Sequence, residues 1–339
     1  MLSLDGSYGE GGGQILRTAL SLAALTGAPV RMERIRAGRS KPGLRPQHLT
    51  AVQAVARVCQ AEVTGADLGS QGLTFRPGSP RGGRYLFDVA AKTRSAGAVS
   101  LIAQALLAPL LKAGTPATVI LRGGTHVPWS PPAHYLSQVF LPALAALGAE
   151  VKLTLEGWGW YPQGGGEMRL DIRPAPSLAG VSWRTPASPP SFQALSAAAN
   201  LSEHVARRQA ARLTARLGEA VPVAIVPAGG RDRGSLAFIW GPQAGFAGLG
   251  ARGKPAEQVA DEAADAYLAF RASGAALDRH LADQILLYLA LAKGASAFTT
   301  EAVTSHLLTN VWVIEQFLGP TFQIKGGLGE RGEIFCKGQ

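Results

Sequence analysis

The strongest constraint in this sequence is that it repeats itself. Three stretches follow one plan: a helix of small residues, a glycine turn, a strand, a loop, a second helix and a closing strand. The first takes in a helix at 13–26, Gly27-Ala28-Pro29-Val30 and a strand through Ile35. A basic loop, a second helix from about Pro46 to Ala61 and a strand at 62–64 complete it. The second has a helix at 95–112, Gly114-Thr115-Pro116-Ala117, a strand at 118–121, a helix at about 133–147 and a strand at 150–155. The third has a helix at 281–292, Gly294-Ala295-Ser296-Ala297, a strand near 298–300, a helix at 304–318 and a strand at 322–325. One such layer cannot bury its sheet face alone, whereas three packed together can. The expected fold is therefore α/β (α+β), with three repeated two-helix units packed together.

The third unit is interrupted. After a strand at 168–172 comes a proline-rich passage (Pro174, Pro176, Pro186, Pro189, Pro190), then a self-contained α/β segment reaching about Ala275. Its expected parts are a helix at 192–217, strands at 221–226 and 235–241, a glycine-rich loop at 246–254 and a helix at 256–272. Proline and glycine seams at both ends mark a domain boundary. The expected division is a large domain of residues 1–180 and 276–339, with a small α/β domain at 181–275 inserted in it.

The last helix carries the sharpest chemical hint. Leu307, Val311, Ile314 and Leu318 share one face, and Thr304 or Ser305 is a natural N-cap. His306 then sits in the first turn, where the positive end of the helix dipole disfavours imidazolium. A neutral imidazole is a nucleophile, and a helix N-terminus suits a phosphate. A capping or half-buried histidine is the plainer reading. His48 and His134 occupy the same place in the other units, so local pattern alone does not choose among the three.

The net charge of +10 comes mostly from arginine. Arg17, Arg31, Arg34, Arg36, Arg39, Lys41 and Arg45 crowd the first 46 residues against Asp5, Glu10 and Glu33. Guanidinium forks suit phosphates, with nucleic acid the leading polyanionic partner, but on charge alone a solvated basic face is an equal reading. Arg17 stands in an otherwise apolar helix and needs a counter-charge, Glu10, or a ligand. Gln104, mid-helix among Ala and Leu, needs polar partners. Two cysteines form no disulfide framework or metal pattern. The apolar run 96–111 is short for a membrane span, and the start resembles a strand rather than a signal peptide. A cytoplasmic protein is expected.

Several motifs together resemble the RNA 3′-terminal phosphate cyclase family over nearly the whole chain. They are Asp5-Gly6-Ser7-Tyr8-Gly9-Glu10-Gly11-Gly12-Gly13-Gln14 with Arg17, the basic loop 36–47, His280-Leu281-Ala282-Asp283-Gln284 and His306-Leu307-Leu308-Thr309-Asn310. The resemblance implies three two-helix, four-stranded units and ATP-dependent conversion of an RNA 3′-phosphate to a 2′,3′-cyclic phosphate, through histidine-AMP and RNA-adenylate intermediates. It implies His306 as the residue that takes AMP. It implies Gln104 and the stretch His280, Leu281, Ala282, Asp283 and Gln284, ahead of a helix, as the nucleotide site. Arg17, Arg36, Arg39 and Gln47 would hold phosphates or RNA, and Glu10 would lie near a divalent cation (Mg2+ or Mn2+). Partners would be ATP and RNA with a 3′-phosphate, with no membrane, in a monomer or homodimer. The family often has an aromatic where this chain has His280. Two rivals share parts of the pattern: an enolpyruvyl transferase-type enzyme, which needs no nucleophilic histidine, and a non-catalytic cyclase-like RNA-processing protein, which lacks it.

Overall fold

The computed structural model describes residues 1–90, 95–188 and 191–339; Pro189 and Pro190 of the proline-rich passage lie outside them. Three four-stranded mixed sheets share one strand order, in which the first strand pairs with the second, the second with the fourth, and the fourth with the third. In the first sheet Leu2–Asp5 runs parallel to Val30–Glu33, which pairs antiparallel with Leu73–Arg76, and Glu62–Thr64 closes the edge. The second is built likewise from Gly83–Asp88, Ala117–Gly123, Gly166–Ile172 and Val151–Gly157. The third uses Ser182–Trp183, Ser296–Thr300, Gly332–Cys336 and Phe322–Lys325.

Each unit carries two helices: α1 (Gly13–Thr26) and α2 (Pro46–Cys59), then α3 (Val99–Leu111) and α4. The α4 helix opens as Ala133–Tyr135, passes through a π turn at Leu136–Phe140 and closes as Leu141–Ala146. Gly27 ends α1 at φ 71°, a left-handed position that glycine takes without Cβ strain. Between the first strand of the third unit and its helices lies a fourth sheet, with α5 (His204–Leu217) and α6 (Ala256–Ser273). The third unit resumes with α7 (Arg279–Ala290) and α8 (Ser305–Leu318). The helices meet in one core, where α1 packs on α2, α3 and α8, and α7 packs on α8. Every residue of α3 is buried except Gln104. No helix among the described residues is long and apolar enough to cross a membrane.

Four local expectations are corrected. Residues 192–203 are not helical: Gln193–Ala199 is a central strand of the fourth sheet, between Val223–Pro227 and Gly234–Gly241. Alanine-rich sequence favours a helix in isolation, but two-sided pairing overrides that preference. The expected loop at 246–254 is half strand, since Ala244–Leu249 pairs with Gly234–Gly241. Gly248 serves packing there, because a Cβ on it would lie 1.9 Å from the Val259 carbonyl oxygen of α6. The helix expected from Ser95 begins at Val99, after Ala98 bridges Gly124. The helix expected from Leu281 begins earlier, at Arg279, so His280 lies on it rather than ahead of it.

Buried polar bonds lock α8 in place. The Thr18 hydroxyl of α1 donates to Asn310 Oδ1 at 2.7 Å, and Asn310 Nδ2 donates to the Asp283 carbonyl of α7 at 2.7 Å. An Asn310→Ala change orphans the Thr18 hydroxyl and the Asp283 carbonyl in the core, and should cost about 2 kcal/mol. A thermal melt should show a clear drop in midpoint; an unchanged midpoint would deny this bridge a structural role.

Candidate active site

The site is assembled where the chain's first helix meets its last. Thr304 caps α8, its hydroxyl accepting from Leu307 N at 3.0 Å, which fixes His306 in the first turn. The glycine loop before α1 lies against this turn. Glu10 N donates to Thr309 Oγ1 at 3.0 Å, and Tyr8 stacks on Trp312 with ring centroids 4.0 Å apart. The loop is glycine-rich because side chains crowd it: a Cβ on Gly13 would lie 2.3 Å from His48 Nε2 and 2.9 Å from Arg17 Nη1. No side chain caps the N-terminus of α1, so its first amides remain available as donors.

His306 Nδ1 lies 2.6 Å from Gln14 Oε1. A carbonyl oxygen accepts, so Nδ1 carries the proton and Nε2 keeps the lone pair. Glu10 Oε1 is 3.8 Å from Nε2 and is salt-bridged to Arg39. The His306 pKa is held below its ordinary value by burial first, then by Arg17, Arg39 and His280. The neutral state expected from the helix dipole is thus also favoured by desolvation and neighbouring cations. The side chain is still 49% exposed, open to a ligand.

The other two helix-start histidines are engaged elsewhere. His48 is buried, and its Nδ1 accepts from Arg45 N at 3.3 Å. His134 Nδ1 meets His126 Nε2 at 2.8 Å, and burial pushes its pKa down to about 4. His126 is buried, and its Nδ1 lies 2.8 Å from Thr125 Oγ1.

Arg17 does not pair with Glu10, which Arg39 takes instead. Burial lowers the Arg17 pKa to about 10, while the charge of nearby Asp283 raises it. Asp283 is buried, and its carboxyl is driven well above the usual range by desolvation first and Asp278 second, with Arg17 opposing. Neither side chain forms a salt bridge among the described residues, so Arg17 is a largely buried cation that an anionic ligand would satisfy. Gln104 finds its partner within the protein: its Nε2 donates to Gln284 Oε1 at 2.6 Å.

Other expected residues are placed less directly. Arg36 Nη1 donates to the Lys41 and Gly43 carbonyls at 2.8 Å each, ordering the basic loop. Gln47 Oε1 accepts from Ala98 N at 2.9 Å, tying the basic loop to the start of α3. Leu281 and Ala282 are buried in the core, and their amides are taken by Asp278 Oδ1 and the Asp278 carbonyl, so neither offers a polar group to a ligand. His280 is exposed at the start of α7. Among the described residues no three His, Cys, Asp or Glu side chains come together as a metal site.

Two residues of consequence were not singled out from the sequence. Gln14 sits inside the glycine motif, and only its bond to His306 reveals its part. Asp278 had a legible signal, an acidic residue just before the α7 hydrophobic run. It is buried and accepts from Tyr135 OH, Gly245 N, His280 N and Leu281 N, all within 3.0 Å. One carboxylate thereby joins α4, the fourth sheet and α7.

Comparison with known proteins bears on this site. The family model described as RNA 3′-terminal phosphate cyclase matches residues 8–324. A protein of that name from Methylococcus capsulatus is 51% identical, covering 94% of this chain and 91% of its own. Those from Gloeothece citriformis and Archaeoglobus fulgidus are 47% and 42% identical, covering 94% and 96% of this chain and 93% and 98% of their own. The enolpyruvyl transferase NikO from Streptomyces tendae aligns over 95% of this chain and 46% of its own, at 12% identity and a TM-score of 0.38, a likeness too slight to argue from.

The electrostatics give a direct expectation. In NMR titration of the free protein, His306 should titrate below 6.5 and His134 near 4, both being neutral at pH 7. A His306 that titrates above 6.5 would show that Glu10 outweighs burial and the cations.

Proposed function

Because this chain belongs to the RNA 3′-terminal phosphate cyclase family, we propose that it closes RNA 3′-phosphate ends through an AMP carried on His306. The observation that carries this is the contrast among the three helix-start histidines. Only His306 combines exposure, a proton fixed on Nδ1 by Gln14 and a free Nε2.

In this reading Nε2 attacks the α-phosphate of ATP; an N–P bond forms and the bond to pyrophosphate breaks. Gln14 holds the Nδ1 proton and stabilises the positive charge that builds on the ring. Arg17 lies close enough to lower the His306 pKa, and the same cation would stabilise charge on the α-phosphate oxygens. AMP then passes to the RNA 3′-phosphate, regenerating the free imidazole. The neighbouring 2′-hydroxyl attacks that activated phosphorus and gives up its proton to water, the bond to AMP breaks, and the ring closes. Positioning supplies much of this last step, since nucleophile and phosphorus belong to one ribose.

The nucleotide would lie along α7, with Gln104, Gln284, Asp283 and His280 around it. The basic loop with Arg36, Arg39 and Gln47 would meet the RNA end. A metal site is not built by these residues: Glu10 is the carboxylate at hand, and Arg39 engages it. A Mg2+ or Mn2+ ion would travel on the triphosphate's own oxygens, and no step above depends on it. We read residues 181–275 as the inserted domain, and buried free Cys59 and Cys336 as suited to a reducing cytoplasm. Family membership removes the enolpyruvyl reading, and the presence of His306 speaks against a non-catalytic relative.

His306→Ala should abolish the AMP adduct seen by mass spectrometry after incubation with ATP alone, with the fold intact by circular dichroism. An adduct that survives would move the nucleophile to His48 or His134. Arg39→Ala should raise the KM for RNA about tenfold, as expected for losing a charged hydrogen bond, and change adduct formation from ATP much less. Equal losses in both would take the basic loop out of RNA binding.

A further inference from the structure

We propose that Trp129, Tyr161, Arg231 and Arg233 form a landing surface for the single-stranded RNA that precedes the 3′ end. This rests on the reading of His306 as the place where that end is closed.

The aromatic half is costly to maintain without a ligand. Trp129 is 95% exposed and Tyr161 65% exposed. Trp129 also holds φ 60°, a left-handed backbone that a bulky residue adopts only at a cost. Their loops are neighbours and firmly seated. The Thr125 and His126 amides donate to the Gly159 carbonyl at 3.0 and 2.9 Å, and His126 bridges Trp160. Beneath them His126 stacks on Trp158 with centroids 4.3 Å apart, and Trp158 on Trp160 at 5.4 Å.

The cationic half comes from the fourth sheet. Trp160 Nε1 donates to the Gly229 carbonyl at 2.8 Å, and Gln163 N donates to Asp232 Oδ2 at 2.9 Å. Asn200 Nδ2 donates to the Gly230 and Asp232 carbonyls at 2.9 and 3.1 Å. Asp232 is thus turned to the aromatic loop, while Arg231 and Arg233 on either side of it face solvent. Among the described residues neither arginine forms a salt bridge. Bare rings beside free guanidiniums fit bases that stack and phosphates that pair, the chemistry of an unpaired strand rather than a duplex.

A run of close contacts leads from this surface to His306. A Cβ on Gly165 would lie 3.2 Å from Arg231 Cδ, one on Gly164 3.1 Å from Ala96 Cα, and one on Gly97 3.0 Å from Gln47 Cβ. Gln47 precedes His48, which abuts Gly13, and the next residue, Gln14, bonds His306. These contacts run through buried Gly164, Gly97 and His48, so they fix the surface relative to the imidazole through the packed interior.

The test uses the full chain and two variants remote from the chemistry, Trp129→Ala and the pair R231Q/R233Q. Binding is read by fluorescence anisotropy with a 3′-phosphorylated single strand on the order of ten nucleotides; turnover is read with that strand and with a 3′-phosphorylated dinucleotide. Each variant should weaken the longer strand about tenfold, from loss of stacking or phosphate contacts. The dinucleotide KM and the AMP adduct formed from ATP should stay unchanged. Undiminished affinity for the longer strand, or equal losses for both substrates, would overturn the proposal. A wild-type protein that binds the strand through these residues yet forms no AMP adduct would instead overturn the His306 reading and leave the surface standing.

Discussion

The chemistry depends on holding the two ends of the chain side by side. His306 and Gln14 are separated by 292 residues and meet at 2.6 Å. That distance is maintained by Glu10 N on Thr309, Tyr8 on Trp312, and the Thr18–Asn310–Asp283 bridge below. Each joins α8 to the first unit or to α7, so the imidazole's orientation is a property of the packed helices rather than of its own turn. Capping alone would give a histidine at a helix start; His48 and His134 are such histidines, and both are tied into other bonds.

A second constraint is electrostatic. Cations gather around the glycine loop without enough carboxylates to neutralise them, since Glu10 pairs with Arg39 and Asp283 is held away from ionisation by burial. Such an arrangement disfavours imidazolium and favours an incoming anion with the same field. The cost of collecting charge in a half-buried place is offset when phosphates arrive. This makes Arg17 part of the same argument as His306, although no bond joins them.

How far sequence alone reaches can be judged from particular elements. The α8 helix, its Thr304 cap and the strand Phe322–Lys325 follow from periodicity and capping, because local rules and tertiary packing agree there. Gln193–Ala199 carries a helical composition yet forms a strand, because alanine's helix preference is weak beside strand pairing on two sides. Ala244–Leu249 was hidden by glycines that serve close packing rather than a turn. At the site, His306 and Glu10 stand out by residue type, but the partnerships do not. Gln14 with His306, Gln104 with Gln284, and Asp278 with Tyr135 span long sequence separations that no local pattern encodes. Leu281 and Ala282 show the opposite error, motif positions whose side chains serve the core.

The central claim is that one nitrogen, Nε2 of His306, receives the nucleotide while Nδ1 keeps its proton toward Gln14. Nitrogen-15 and phosphorus-31 NMR on imidazole-labelled protein after exposure to ATP tests it most directly. The expected result is a phosphorus coupled to Nε2 of His306, with Nδ1 still protonated. Phosphorus on Nδ1, or on any other side chain, would contradict the account.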